Sequence, residues 1–187
     1  MPIDYMHANH LASASTSQFR GFSPQFKNNA ILYIALNDPT ASETLVLSLD
    51  SFPVPKATSS KLEMKYMNET RSVAGAVTLE DLTVQYKDFV DTNTSQILWA
   101  WRRLVYNHST GGIGLPAEYK RNGWVELRSS NNDPRYTRYM DLEGIYPLVD
   151  PDHGEFGMET NELAKLGMSL AIDKAYPGDG FLSALQV

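Results

Sequence analysis

Cysteine is absent from the 187-residue chain, and this absence excludes two kinds of chemistry. Without thiols, no disulfide can hold the fold together, and no cysteine can act as a nucleophile or a metal ligand. A hydrophobic core must therefore stabilise the chain. With 42% hydrophobic and 11% aromatic residues, the sequence has enough apolar side chains to form one, and we expect one domain with extensions.

Long apolar stretches are also missing. No run approaches the roughly 20 residues that cross a bilayer. The first five residues, Met-Pro-Ile-Asp-Tyr, lack the basic start and the apolar segment of a secretory signal. We therefore expect no membrane insertion and no export by that route.

Basic residues are few and are not clustered. The formal charge is −6, from 16 basic and 22 acidic residues, and residues 141–187 hold a large excess of the acids. Tight nucleic-acid binding requires clustered lysines and arginines that neutralise phosphates. We therefore expect no specific DNA binding, and we interpret the acidic C-terminal quarter as a solvated surface.

Catalytic motifs are missing as well. The chain has neither a Gly-x-Ser-x-Gly elbow nor a glycine-rich phosphate loop. His7 and His10 have the spacing of a metal pair, and Asp150, Asp152 and His153 form a second acidic group. A metal site needs three or four ligands, and Asp-Pro-Asp is common turn chemistry. We predict no enzyme activity, no catalytic residue, no metal site and no cofactor.

What the chain does contain is mostly strand-like pattern. The run at 30–36 is predicted as a buried strand and the run at 44–49 as a second strand. The rest of residues 1–43 is poor in charge and rich in small polar residues, as in an arm. We therefore divide the chain into an N-terminal arm, residues 1–43, and a β-domain, residues 44–187.

Two further strands carry the clearest alternation. In residues 61–66, Leu62, Met64 and Tyr66 lie on one side and charged residues lie on the other. Residues 76–86 read as one long strand whose apolar side changes near residues 80–81, which predicts a bulge or bend. In a monomer these strands would be exposed sheet edges.

Residues 94–107 change to a helical period. Thr94 or Asp91 can cap this helix, and its apolar stripe consists of Ile97, Leu98, Trp101, Leu104 and Val105. Trp99 and Tyr106 give the opposite side a large aromatic surface as well. We expect both sides of the helix to contact a partner.

The remaining chain returns to strands. Residues 123–128 and 135–140 flank a turn at 129–134 rich in Ser, Asn, Asp and Pro, which predicts a hairpin. Residues 163–172 read as a final strand. About seven strands and one helix indicate a mainly β fold, a β-sandwich or barrel with one flanking α-helix.

From residue 61 to residue 176, the order of elements resembles the tail tube family of contractile-tailed phages. The resemblance is carried by Gly75-Ala-Val-Thr-Leu79, Trp99-Ala-Trp101, Tyr119-Lys-Arg121, the strand at 123–128, Leu142-Glu-Gly-Ile-Tyr-Pro147 and Ile172-Asp-Lys-Ala-Tyr176. The family has Gly-x-Trp-Pro or a close variant where Gly144-Ile-Tyr-Pro147 stands here. The first 43 residues depart from the family.

The resemblance implies a structural virion protein, located in the tail and assembled in the host bacterial cytoplasm. Its copies would form hexameric rings with a continuous inner β-barrel, and the rings would stack into a tube. The implied partners are other copies of the chain, the tail sheath protein, the tape-measure protein, and baseplate and tail-terminator proteins. The genome would pass through the tube without specific binding during ejection.

The size of the predicted sheet also favours assembly. A barrel of about eight strands is filled by its own side chains, whereas roughly sixteen or more leave a channel. About seven strands from one chain therefore cannot enclose duplex DNA. We expect subunit contacts at Leu62, Met64, Tyr66, Val77, Leu79, Leu82, Val84, Trp99 and Tyr106, and further contacts of the arm or the acidic C-terminal quarter with an adjacent ring or the sheath.

Two alternatives remain open. The chain could be the tube protein of a phage-derived contractile injection system or a type VI secretion system, which are related in fold. It could instead be a monomeric β-sandwich binding module of a baseplate or carbohydrate-binding type. In that case Trp124, Tyr136 and Tyr139 would form a stacking platform for sugars.

Overall fold

The computed structural model describes residues 29–89, 91, 93–128, 137–154 and 163–178, and this part of the chain is mainly β-structure. The strands are β1 (Ala30–Ile34), β2 (Leu49–Ser51), β3 (Ala57–Tyr66), β4 (Glu69–Leu79), β5 (Leu82–Lys87), β6 (Tyr106–Asn107), β7 (Gly112–Ile113), β8 (Arg121–Leu127), β9 (Arg138–Pro147), β10 (Lys165–Ala171) and β11 (Lys174–Pro177). The helices are α1 (Pro39–Ser48), α2 (Thr94–Val105) and α3 (Pro116–Tyr119).

A seven-stranded antiparallel sheet forms the body of the molecule. Its strand order is β1-β8-β9-β10-β5-β2, and β11 pairs with β9 beside this path. β1 and β2 lie at the two ends, so the sheet does not close on itself within the described residues. The β3–β4 and β6–β7 pairs form separate two-stranded sheets.

The long strand β9 connects the two halves of this sheet. On one edge, β9 pairs with β8 from Arg138 to Ile145. On the other edge, Met140 to Glu143 pair with β11, and Tyr146 and Pro147 pair with β10. Between these segments Gly144 has a φ of 69°, a left-handed conformation that glycine adopts without steric cost. The change of partners at this residue lets both halves cover one core.

The core draws on both halves of the sheet and on two helices. β5 and β10 contribute directly opposed pairs, Leu82 with Leu170, Val84 with Met168 and Tyr86 with Leu166. β1 adds Leu32 and Ile34 from the other half. The buried set is completed by Leu45 of α1, Leu98 and Trp101 of α2, Val125 of β8, Leu142 and Ile145 of β9, and Ile172 after β10.

The strand predicted at residues 44–49 is wrong, because these residues belong mainly to helix α1. Asp38 is the N-cap residue, and its Oδ1 accepts a hydrogen bond from the Thr40 amide at 3.0 Å. Pro39 occupies the first helical position, where its fixed φ favours helix and its missing N–H costs nothing. These start signals outweigh the β-forming side chains that follow them.

Helix α2 confirms the predicted helix, with small differences at its ends. It ends at Val105 instead of residue 107, and its N-cap residue is Asn93, with a φ of 51° and no side-chain capping bond, in place of Thr94 or Asp91. Leu98 and Trp101 of the predicted stripe are buried in the core, whereas Leu104 is 40% exposed.

The single strand predicted at residues 76–86 is two strands. β4 ends at Leu79 and β5 begins at Leu82, and they belong to different sheets. The predicted change of side near residues 80–81 therefore marks a break between strands. The estimate of about seven strands and one helix is corrected to eleven strands and three helices in the described part of the chain.

The C-terminal strands agree with the sequence patterns. β8 and β9 pair antiparallel as predicted, and the turn predicted between them lies outside the described residues. β10 confirms the strand predicted at 163–172, although β11 follows it. None of the described helices is long and apolar enough to cross a membrane.

The division of the chain at residue 43 stays a prediction. Residues 30–43 already contribute β1 and the start of α1 to the body. Residues 1–28 of the predicted arm, with His7 and His10, lie outside the described residues.

Candidate assembly surface

The β3–β4 hairpin stands apart from the body of the molecule. Its strands pair with each other from Ala57 opposite Leu79 to Tyr66 opposite Glu69, and all ten residues of β3 are exposed. No buried core residue comes from either strand. Within the described residues, the outer edges of β3 and β4 have no partner strand. Such edges are templates for pairing with another chain, and a lone hairpin is only marginally stable.

One face of this hairpin carries the apolar side chains of β3, with the charged residues Arg71 and Glu69 of β4 opposite Met64 and Tyr66. Leu62 lies opposite Val73, and Met64 and Tyr66 follow on the same side of β3 because side chains alternate along a strand. Each of these side chains is between 46% and 69% exposed. A monomer leaves this apolar surface in water, so the face is suited to a contact with a partner.

The opposite face of the hairpin is polar towards its tip. Lys61, Glu63 and Lys65 point to this side, where Thr70 lies opposite Lys65. Lys61 Nζ and Glu63 Oε1 form an exposed ion pair at 2.8 Å. The hairpin therefore has the two-sided pattern of a half-buried strand pair, although the body of the molecule does not cover its apolar side.

Val77 and Leu79 lie on this second face, near the base of the hairpin. Val77 is opposite Ser59 and Leu79 is opposite Ala57. Since the register shifts between Ser59 and Lys61, Val77 does not continue the apolar face of Leu62. Val77 is exposed and Leu79 is half-buried, so the structure divides the predicted contact residues of the hairpin between its two faces.

The prediction of Leu82 and Val84 as contact residues is corrected. Both lie opposite core residues of β10, point into the core and are at most 1% exposed. Their apolar alternation reflects burial in the core of the same chain. They cannot contact another subunit while the body stays folded.

The tip of the hairpin carries a methionine that the sequence patterns did not single out. Met67 lies between the paired residues Tyr66 and Glu69, has a φ of 53°, and is 93% exposed. Left-handed turn positions favour Gly, Asn or Asp, since other side chains meet a steric penalty there. Met67 is therefore an unfavourable choice for the turn itself and for contact with water.

The outer side of α2 is held by an aromatic and ionic cluster. Trp99 and Tyr106 are half-buried, and their rings meet His108 edge to face at centroid distances of 6.1 and 5.0 Å. Asp150 Oδ1 accepts a hydrogen bond from Arg102 Nε at 2.8 Å, and Asp150 Oδ2 lies 3.1 Å from His108 Nε2. The two predicted contact residues thus keep part of their surface free.

The contacts with Arg102 and His108 also affect the protonation of Asp150. The hydrogen bond from Arg102 holds the pKa of Asp150 below its ordinary value, and the hydrogen bond from His108 acts in the same direction. Both carboxylate oxygens of Asp150 therefore have partners within the chain. The described residues contain no group of three or more His, Asp or Glu that could hold a metal ion.

A second apolar surface lies at the end of α2 and was also missed. Leu104, Ile113 and Leu115 are 40%, 80% and 66% exposed, and we call them the α2–β7 patch. They surround Gly114, whose amide donates to the Val105 carbonyl at 3.0 Å and which lies so close to the Leu104 carbonyl that no Cβ would fit. The sequence does not reveal this patch, because the helical period assigns Leu104 to the core-facing stripe and because Ile113 and Leu115 lie in a short connecting segment with no clear period.

The alternative sugar platform is only partly formed. Trp124 and Tyr139 share an exposed face of the sheet, since Trp124 is opposite Asp141 and Glu126 is opposite Tyr139. One face of the Trp124 ring is stacked on Tyr33, with centroids 4.0 Å apart and an interplanar angle of 21°. Tyr136 lies outside the described residues.

The fold is similar to that of several solved structures. No family model and no curated protein matches the sequence. Among solved structures, a chain of the cryo-EM structure of an extracellular contractile injection system, the PVC sheath-tube complex in the extended state, is similar with a TM-score of 0.64 and 14% identity, over 89% of this chain and 99% of that chain.

Two structures of the anti-feeding prophage are similar as well. A chain of its baseplate, 6-fold symmetrised, has a TM-score of 0.61 and 13% identity, over 83% of this chain and 96% of that chain. A chain of its tube-terminating cap has a TM-score of 0.61 and 13% identity, over 83% of this chain and 91% of that chain. The described body and hairpin therefore have the fold of chains found in contractile injection particles.

Proposed function

We propose that the chain is a structural subunit of a contractile tail or injection particle, and that its copies form hexameric rings that stack into the tail tube. The observation that carries this proposal is the β3–β4 hairpin, which exposes an apolar face and two unpaired edges. Neighbouring copies would supply the missing strands and cover the apolar side chains. The inner sheets of the ring would then join into one continuous barrel.

The geometry of the body supports a function that requires several copies. Its seven-stranded sheet does not close into a barrel, and core side chains occupy the space that the sheet covers. One chain therefore offers no channel. The fold is similar to that of a chain from a baseplate with 6-fold symmetry. Six copies, each contributing its two hairpin strands and at least one strand of the body sheet, would provide about eighteen strands, enough to surround a water-filled channel.

The expected partners follow from this position in a tail. The sheath would lie outside the tube, the tape-measure protein and then the genome inside it, and baseplate and terminator proteins at its ends. With a formal charge of −6, the tube would repel phosphate and let DNA pass without binding it. The proposed function requires no active site.

Electron microscopy of the purified chain tests the proposal. We expect rings or hollow rods of regular repeat from the wild-type protein. Met64→Glu places a charge on the apolar face, beside Arg71 on the neighbouring strand, and should leave a folded monomer without rods. Thr70→Glu adds the same charge to the polar face and serves as the matched control.

The two variants separate a specific contact from a general effect of charge. Rods from Thr70→Glu and none from Met64→Glu would support the proposal. Equal rod formation by both variants would show that the face with Leu62, Met64 and Tyr66 is not part of the assembly contact. A wild-type chain that stays monomeric at high concentration would contradict the proposed function altogether.

The exposed pair Trp124 and Tyr139 favours a second candidate, a monomeric module that binds sugars. In that case the wild-type chain should stay monomeric and retain a glycan on an array. Trp124→Ala should abolish that retention by removing the stacking ring. Assembly of the wild-type chain together with an empty array would exclude this alternative.

A further inference from the structure

Two exposed apolar sites on this chain lie on different elements and have complementary surroundings. The first is Met67 at the tip of the β3–β4 hairpin, and the second is the α2–β7 patch. In the described residues, β3 and β4 pair only with each other. Each chain therefore carries both a projecting apolar tip and an apolar patch that its own body leaves uncovered.

The backbone at Met67 indicates that its side chain serves a contact. A non-glycine residue in the left-handed region costs roughly 1–2 kcal/mol, and exposing a large apolar side chain gains nothing in a monomer. A glycine or asparagine would suit the turn better. The methionine side chain offsets this cost only where it is buried against another surface.

One acid beside the tip and one base beside the patch can form an ion pair. Glu69 follows the tip, its side chain is 75% exposed, and its nearest partner is Arg71 at the long distance of 3.7 Å. Arg103 precedes Leu104 of the patch, is exposed, and makes no ion pair within the described residues. Lys65 and Arg71 also flank the tip, so the charge argument concerns one pair: Glu69 can pair with Arg103 when these two surfaces meet.

We propose that the hairpin tip of one copy docks on the α2–β7 patch of a second copy, with Met67 packed among Leu104, Ile113 and Leu115, and with Glu69 paired to Arg103. This inference rests on the proposed self-assembly and names its contact residues. Different surfaces meet in this contact, so it is head-to-tail. Every copy can use its tip and its patch at the same time, which generates rings or filaments.

The patch is already rigid before docking. The Gly114 amide is bonded to the Val105 carbonyl at 3.0 Å, and Trp101 Nε1 donates to the Tyr119 carbonyl at 2.8 Å, which ties α2 to α3. A rigid receptor loses little conformational entropy on binding. The contact is small, but repetition over many copies makes a weak contact sufficient for assembly.

Charge reversal on both sides tests the proposal with the full chain. We expect Glu69→Arg alone and Arg103→Glu alone to raise the protein concentration needed for rods about tenfold or more, because each variant places like charges in contact. The double variant should recover rod formation at a concentration close to that of the wild type. Electron microscopy and size-exclusion chromatography give the readout, and thermal melts confirm that each variant is folded.

A matched control excludes unspecific charge effects. Glu63→Arg reverses an exposed acid on the polar face of the same hairpin, and combining it with Arg103→Glu should give no recovery. If the wild type forms rods and the Glu69→Arg, Arg103→Glu double variant is no better than the single variants, this inference is overturned and the proposed function stands. If the wild type forms no rods, the proposed function fails first.

Met67→Gly gives an independent test, because it should weaken rod formation without lowering the stability of the monomer. Glycine relieves the left-handed turn, so the thermal stability of the monomer should stay the same or rise. Rod formation should weaken, because the packed side chain is gone. Normal rod formation by this variant would contradict the role assigned to Met67.

Discussion

Asp50 shows how single residues join the strands of the body. It lies on β2, its Oδ2 is 2.8 Å from Lys165 Nζ of β10, and its Oδ1 is 3.4 Å from Lys87 Nζ of β5. The hydrogen bond from Lys165 is the main cause that holds the pKa of Asp50 below its ordinary value, with Lys87 adding to it and partial burial opposing it. The charged form of this carboxyl therefore favours the folded state.

The sign of this shift sets a pH dependence. Since the folded pKa lies below the unfolded one, the stabilisation is complete above the ordinary value near 4 and is lost as the pH falls through the folded pKa. We expect Asp50→Asn to lower the free energy of unfolding by about 1 kcal/mol at pH 7. Urea melts at falling pH should show the gap to the wild type closing. An equally large gap at pH 7 and in acid would contradict this account, and Asp141→Asn, at an exposed acid, is the control.

Gly144 carries the change of partners along β9. In Gly144→Ala the Cβ would overlap with the Asp173 carboxylate, which is bonded to Lys120. We expect a loss of at least about 1–2 kcal/mol in chemical denaturation from the left-handed backbone. Gly154→Ala is a matched control, since Gly154 has a φ of 65° and open space around it. A smaller loss at Gly144 than at Gly154 would show that the overlap has no cost.

Among the elements, the β3–β4 hairpin should be removable without unfolding the body. The buried core contains none of its residues, and Ala57 and Leu79 are already paired at its base. We expect a chain in which Asn-Gly replaces residues 58–78 to melt within a few degrees of the wild type and to form no rods. Circular dichroism and electron microscopy measure the two outcomes. Loss of the folded body would assign the hairpin a structural role that its exposure does not indicate.

Sequence patterns predicted those elements that bury one face. The alternation in β10 and the helical period in α2 arise because each packs a stripe against the core. Residues 69–75 of β4 were not predicted as strand because their sequence has no alternation of apolar and polar side chains. Helix α1 was not predicted from the sequence because residues 44–49 are rich in β-forming side chains. The signals that start the helix lie before them, at Asp38 and Pro39.

The candidate site could be predicted only in part for the same reason. Leu62, Met64 and Tyr66 were found by their alternation, whereas Met67 and Ile113 are single apolar residues in or beside turns. Leu82 and Val84 show the same alternation as Leu62, although they face the core. A pattern of period two indicates that a face is covered, and the three-dimensional fold decides whether the cover comes from the same chain.

The charge of the whole molecule predicts its behaviour towards nucleic acid. The excess of acids gives a formal charge of −6, and binding to DNA depends on neutralising phosphates with basic residues. We expect no binding of labelled duplex DNA to the monomer or to assembled rods in fluorescence anisotropy at about 0.15 M salt. The same titration at low salt is the control, because binding that appears and grows there would reveal a basic surface.

The separation of hairpin and body has a consequence for evolution. Since no residue of β3 or β4 belongs to the buried core, the packing of the interior does not limit which side chains the hairpin can carry.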